Sequence, residues 1–103
     1  MKLDVKSLVA KILLKLAKNV FVTYGVAETN INWVNKGGVY AYNTSTEGRP
    51  SSYGMLLHIS TYEGLTGWHW QLAFTTDNAV LVRCNINPTS SNFGGNWSNW
   101  KGL

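Results

Sequence analysis

The side chains able to carry chemistry are few and scattered. Five carboxylates stand at Asp4, Glu28, Glu47, Glu63 and Asp77, and no spacing among them sets up an acid and base pair. One thiol, Cys84, has only His58 and His69 as conceivable bases. Strand alternation puts Cys84 on one sheet face and both histidines on the other, which parts nucleophile from base. Two histidines per chain fall short of a zinc site. They would hold a metal only from adjacent strands or around a threefold axis. The lone cysteine excludes an intrachain disulfide and is expected as a small buried residue. Gly94-Gly95 is not followed by the Lys-Ser/Thr of a phosphate loop. The sequence therefore predicts no catalysis, no bound metal and no cofactor.

Binding chemistry is better supplied. Five tryptophans, five tyrosines and three phenylalanines occur in 103 residues, more than a small core needs. Tyr62, Trp68, Trp97 and Trp100 fall in or beside glycine-rich loops, where a ring can stack on a sugar or pack on the domain's own sheet. His58, His69, Gln71, Arg83 and Asn85 share one predicted sheet face, polar and without strong charge. That face is open to two readings, a solvated surface or a ligand or subunit contact. The candidate binding residues are Tyr62, Trp68, His69, Gln71, Arg83 and Asn85.

The elements that position these residues divide in two: a helix within residues 1–19 and a β-rich domain over 20–103. Val5, Leu8, Val9, Ile12, Leu13 and Leu16 recur at i, i+3, i+4 and i+7, which predicts an amphipathic helix over 3–18. Its stripe has three possible uses: cover for the sheet, a trimer seam through Val5, Val9, Ile12 and Leu16, or a cationic membrane-surface helix. Beyond Asn19 the signals are for strands, beginning with the β-branched run from Val20. Val39–Tyr42 alternates and Met55–Ser60 follows Gly54, Gly67–Thr76 and Val80–Ile86 are the two clearest strands, and 43–52 and 62–67 read as loops. The predicted class is α+β, the helix followed by a mainly antiparallel sheet of five to six strands.

The joint at Asp77-Asn78 predicts a register. A three-residue loop pairing Phe74 with Val82, Leu72 with Cys84 and Trp70 with Ile86 puts the large apolar residues on one face, and Asn78 suits the left-handed backbone such a loop needs. The expected core face is then Trp68, Trp70, Leu72, Phe74, Val82, Cys84 and Ile86, with Met55, Leu57 and Ile59.

The net charge of +4 is localised. Lys2, Lys6, Lys11, Lys15 and Lys18 against Asp4 supply all of it, and from Asn19 onward four cations balance four anions. A surface that follows phosphates interleaves cations with its aromatics; this neutral body does not, so nucleic acid is not an expected partner. The run Leu8–Leu16 is interrupted by lysines, which predicts neither a secretion signal nor membrane insertion. Synthesis in a cytoplasm is expected.

Three segments in order carry a resemblance: Gly48 to Ile59, with a proline, a short spacer, Gly54 and an apolar strand; Gln71 to Arg83, a strand, turn and strand ending in arginine; and Trp97-Ser-Asn-Trp100-Lys-Gly-Leu at the close. Together, over roughly residues 33 to 103, they resemble the pyocin-knob family of phage tail-fibre domains. The resemblance implies a tip domain of a virion tail fibre or baseplate, commonly trimeric, that binds a bacterial surface receptor, a glycan foremost, and contacts other phage tail proteins. It marks Gly54, Gln71, Arg83, Trp97 and Trp100 as pattern positions, with Trp100 and Arg83 bracing the sheet. Cys84 departs from the pattern, which favours a small hydroxyl residue there, and the segment 87–95 is longer. The helix is not part of the knob pattern. Two alternatives remain: a structural tail subunit without receptor contact, and a single-strand nucleic-acid binder.

Overall fold

The computed structural model describes residues 4–20, 23–27 and 29–103. Residues 1–3, 21, 22 and 28 lie outside the described residues, and with them the predicted helix start at Leu3 and the Phe21-Val22 part of the strand-forming run. The side chains of Leu13 and Leu16 in the predicted stripe lie outside them as well.

The chain is α+β with a mainly antiparallel sheet. Helix α1 spans Val5–Val20. Asp4 caps it, accepting from the Ser7 amide at 3.3 Å through its carboxylate, while its carbonyl starts the helical ladder with Leu8 at 3.0 Å. The stripe residues Val5, Leu8, Val9 and Ile12 are exposed.

The sheet has the order β1 (Thr23–Ala27), β2 (Gly38–Tyr42), β3 (Gly54–Ser60), β4 (Trp68–Thr75), β5 (Val80–Ile86) and β6 (Lys101–Gly102). All neighbours are antiparallel except β1 and β2, which run parallel. Parallel strands need a connection that turns back. Here it contains a 3₁₀ turn, Ile31–Trp33, opened by Asn30, whose side chain accepts from the Asn32 amide at 2.9 Å.

The β4–β5 loop has three residues, as predicted, and Asn78 takes a left-handed φ of 69°. Its position differs. Thr75 and Ala79 close the loop, through amide to carbonyl at 3.0 Å and Ala79 amide to Thr75 Oγ1 at 2.9 Å. Phe74 therefore faces Val80, Leu72 faces Val82, Trp70 faces Cys84 and Trp68 faces Ile86. The hydroxyl of Thr75, which also donates to Asp77, makes it the natural closing residue. A shift of two keeps every side chain on its expected face.

Which face is buried is the reverse of the expectation. Met55, Ile59, Trp68, Trp70, Phe74 and Ile86 are exposed, and Leu57, Leu72, Val82 and Cys84 are half-buried. The core lies on the other side, where Tyr40, Tyr42, Leu56 and Ala73 meet Ile31 and Val34, and where Phe93 is buried against His69 and Trp97. Register decides which residues share a face; it does not decide which face the loops cover. The 31–33 turn and the 93–100 segment both fold onto the face carrying the polar residues.

Candidate functional site

The covered face holds a connected polar network. His58, His69, Gln71 and Asn85 are each 0% exposed, so each must find partners within the chain. His69 Nε2 lies 2.8 Å from the Thr66 carbonyl. A carbonyl only accepts, so that nitrogen carries a proton. In the neutral ring His69 Nδ1 then accepts, and His58 Nε2, 2.9 Å away, donates to it. His58 Nδ1 is left as an acceptor and takes an amide proton of Gln71 at 3.2 Å. The second Gln71 amide proton goes to the Ile31 carbonyl at 2.9 Å, and Gln71 Oε1 accepts from Arg83 Nε at 2.9 Å. One arrangement of protons satisfies all five contacts. Asn85 extends the system, donating to the Phe93 carbonyl and accepting from Asn96, each at 2.8 Å.

This network keeps His58 neutral. Burial foremost, then the neighbouring His69 and Arg83, hold it down at about 3. Burial also lowers Arg83, to about 10, which leaves it charged at neutral pH.

Arg83 is the point where the network meets the surface. Its guanidinium carbon is 4.4 Å from the Trp97 ring centroid and 4.5 Å from that of Trp100, a cation held between two aromatic faces. Both rings are tied down by their indole N–H groups, Trp97 to the Asn32 carbonyl at 2.8 Å and Trp100 to the Gly48 carbonyl at 2.9 Å. Gly48 has a left-handed φ of 82°, and a Cβ there would come 2.3 Å from Asn32 Oδ1. Glycine thus lets the 43–53 loop lie against the 3₁₀ turn and present its carbonyl to Trp100. These segments enclose an open groove of about 380 Å³ lined by Asn32, Arg49, Arg83, Trp97, Asn99 and Trp100, among others. Among the described residues, its lining holds no carboxylate, histidine or thiol. It offers aromatic faces and donors, the means to hold a ligand.

No family model, no curated protein and no solved structure matches the chain. Its function is therefore read from its own residues.

Of the residues singled out in the sequence, His69, Gln71, Arg83 and Asn85 are brought together, but inside the fold. The expectation of an exposed polar face is corrected: loop aromatics cover it, and His69, Gln71 and Asn85 shape the site from beneath. Arg83 alone reaches the groove. Tyr62 is exposed in the 61–67 loop. Trp68 is exposed on the opposite, apolar face, its indole donating to Asn87 Oδ1 at 3.1 Å. Cys84 is half-buried on that apolar face rather than in the core. The two histidines hydrogen-bond to each other within one chain, which leaves neither free for a threefold axis. Among the described residues, no group of three His, Cys, Asp or Glu side chains is placed to hold a metal ion, and no helix is long and apolar enough to cross a membrane.

Asn32 and Arg49 were not among the residues singled out. Asn32 sits in a stretch with no clear periodicity, and Arg49 in a loop of Thr, Ser, Gly and Pro. The Gly-Arg-Pro sequence was their only local signal.

Proposed function

We propose that the chain is a non-enzymatic tip subunit of a phage fibre, baseplate or phage-tail-like particle, located at the virion tail tip, that binds a bacterial surface receptor, a glycan, through the Trp97–Arg83–Trp100 groove. The observation that carries this reading is the clamping of Arg83 between Trp97 and Trp100. These three residues come from two of the motifs that resemble pyocin-knob domains, and they form the wall of an open groove with no acid and base pair. Fixed aromatic faces with flanking amides suit a saccharide, whose ring faces are apolar and whose hydroxyls need donors and acceptors.

The open sheet face supports assembly. Val39, Ala41, Met55, Leu57, Ile59, Trp68, Trp70, Leu72, Phe74 and Ile86 leave no polar side chain along the middle of that face. A soluble monomer rarely leaves so continuous an apolar surface uncovered. A homotrimer covers it, with α1, amphipathic by its spacing, as a seam whose exposed Val5, Val9 and Ile12 also need a partner. In this reading the sheet is one unit of five to six strands and residues 1–19 mount it.

The test is adsorption of the labelled intact chain to bacterial cells before and after removal of their surface polysaccharide. Binding that disappears with the polysaccharide, and that the free polysaccharide competes away, is the expected result. Binding that persists on stripped cells contradicts a glycan receptor. A second reading, a structural subunit that touches only other tail proteins, is favoured by the apolar face alone. It expects no adsorption to any cell.

A further inference from the structure

We infer that the ligand of the groove carries a carboxylate: an acidic saccharide, its carboxylate shared between Arg83 and Arg49 and its ring against the tryptophan wall. This rests on the glycan-binding reading and adds the charge of the sugar.

Arg83 is only 6% exposed, and Nε is spent on Gln71. Its Nη2 is buried without any hydrogen-bond partner. Among the described residues no carboxylate pairs with it, and burial alone accounts for the lowering of its pKa. A buried guanidinium with an unpaired donor is a costly thing to leave in a fold. The two indoles stabilise its faces, but they do nothing for the N–H groups at its edge. An anion in the groove, which Arg83 lines, compensates the positive charge that the chain leaves unpaired.

Arg49 provides the second cation. It is exposed at the rim, where Nη1 donates to the Thr46 carbonyl at 2.8 Å. That bond fixes one side of its guanidinium and leaves donors on the other. Among the described residues, no acidic side chain lines the groove to repel an anion. The flat two-oxygen edge of a carboxylate matches the flat edge of a guanidinium. Two arginines in a body whose charges balance do not make the repeated cationic track that a nucleic-acid strand follows, whereas they suffice for one acidic sugar. The groove volume of about 380 Å³ lies within the range of small-molecule sites, roughly 300–1,000 Å³.

The experiment uses the intact chain, isotopically labelled, and follows its tryptophan indole N–H signals by NMR. The probes are digalacturonate, N-acetylneuraminate, a neutral digalactoside and inorganic phosphate. At least one of the two carboxylate sugars is expected to shift Trp97 and Trp100 while Trp68 and Trp70 on the far face stay put. Its affinity should drop about tenfold in the rim variant Arg49→Gln and weaken with added salt. Arg49 is exposed, so this variant leaves the buried network intact.

Equal binding of the neutral digalactoside overturns the inference while leaving the glycan reading in place. So does a phosphate response as strong as that to the sugars, which marks a simple anion site. No shift with either carboxylate sugar overturns it as well. Binding of a carboxylate sugar by a chain that adsorbs to no cell would instead remove the receptor role and leave the acidic-sugar site standing.

Discussion

His58 donates its Nε2 proton to His69 Nδ1 across 2.9 Å in the core, and this direction follows from the carbonyl that His69 faces at its other nitrogen. The pair is therefore a fixed relay of hydrogen bonds ending on Arg83, the cation of the groove. Protonating His58 at Nδ1 would set its new N–H against the Gln71 amide N–H, and the relay from Gln71 to Arg83 would break.

The first prediction is a pH dependence of stability. His58 falls from an ordinary 6.5 to about 3 in the folded chain. The unfolded chain then binds one proton more than the folded chain between those values, so stability declines as pH falls through that window. It is fully present above about pH 6.5 and falls by about 1.4 kcal/mol per pH unit below it. Urea unfolding at a series of pH values measures this slope. A midpoint that stays level between neutral pH and about pH 4 would show His58 charged or solvated in the native state.

Gln71 is the hinge of the network, serving Ile31, His58 and Arg83 at once. Gln71→Leu leaves a carbonyl, a ring nitrogen and a guanidinium N–H unpaired in the interior. The expected loss is about 3–5 kcal/mol of unfolding free energy, read from denaturant midpoints. A loss under about 1 kcal/mol would mean that water reaches these groups.

Much of this was legible in the residues, and one large thing was not. The positions of β2 to β5, the three-residue loop and the left-handed Asn78 follow from β-branched runs, from the apolar register and from the backbone freedom of asparagine. The common face of Gln71, Arg83, His69 and Asn85 follows from alternation. The sense of that face does not. Hydrophobicity alone places Trp68, Trp70 and Phe74 inside and the histidines outside. The opposite holds because Phe93, Trp97 and Trp100, all far along the chain, fold over the polar face and because His58, His69, Gln71 and Asn85 find hydrogen-bond partners beneath them. A hydrogen-bond network of that kind depends on long-range pairing, such as Gln71 with Ile31, which no local pattern announces. The groove inherits the same difficulty, since Asn32, Arg49 and Trp100 meet only after the loops cross.

Gly54 gives a sharp steric prediction. A Cβ there would lie 2.3 Å from Tyr42 Oη and 2.5 Å from the Phe74 carbonyl. Gly54→Ala should cost about 2 kcal/mol or more as strand and ring move apart. Gly95→Ala meets nothing within 4 Å and should stay within about 0.5 kcal/mol. Thermal unfolding of the two variants side by side measures the contrast; equal midpoints would place Tyr42 elsewhere.

The proposed seam in α1 is open to mutation. The double variant Val9→Lys with Ile12→Lys is expected to lower the solution mass without lowering the urea midpoint of the sheet domain. A trimer that survives both lysines removes α1 as a seam, and a collapse of the sheet's own stability would make the stripe its cover.

The most direct measurement is the solution mass of the intact chain by light scattering behind a sizing column, compared with the double variant Ile59→Lys and Trp70→Lys. These two residues are cross-strand partners on the open apolar face. A trimer that falls to folded monomers in the variant is the expected result, with the tryptophan groove intact on each. A wild-type monomer, or a trimer indifferent to two buried lysines, would contradict assembly through that face and with it the fibre-tip role.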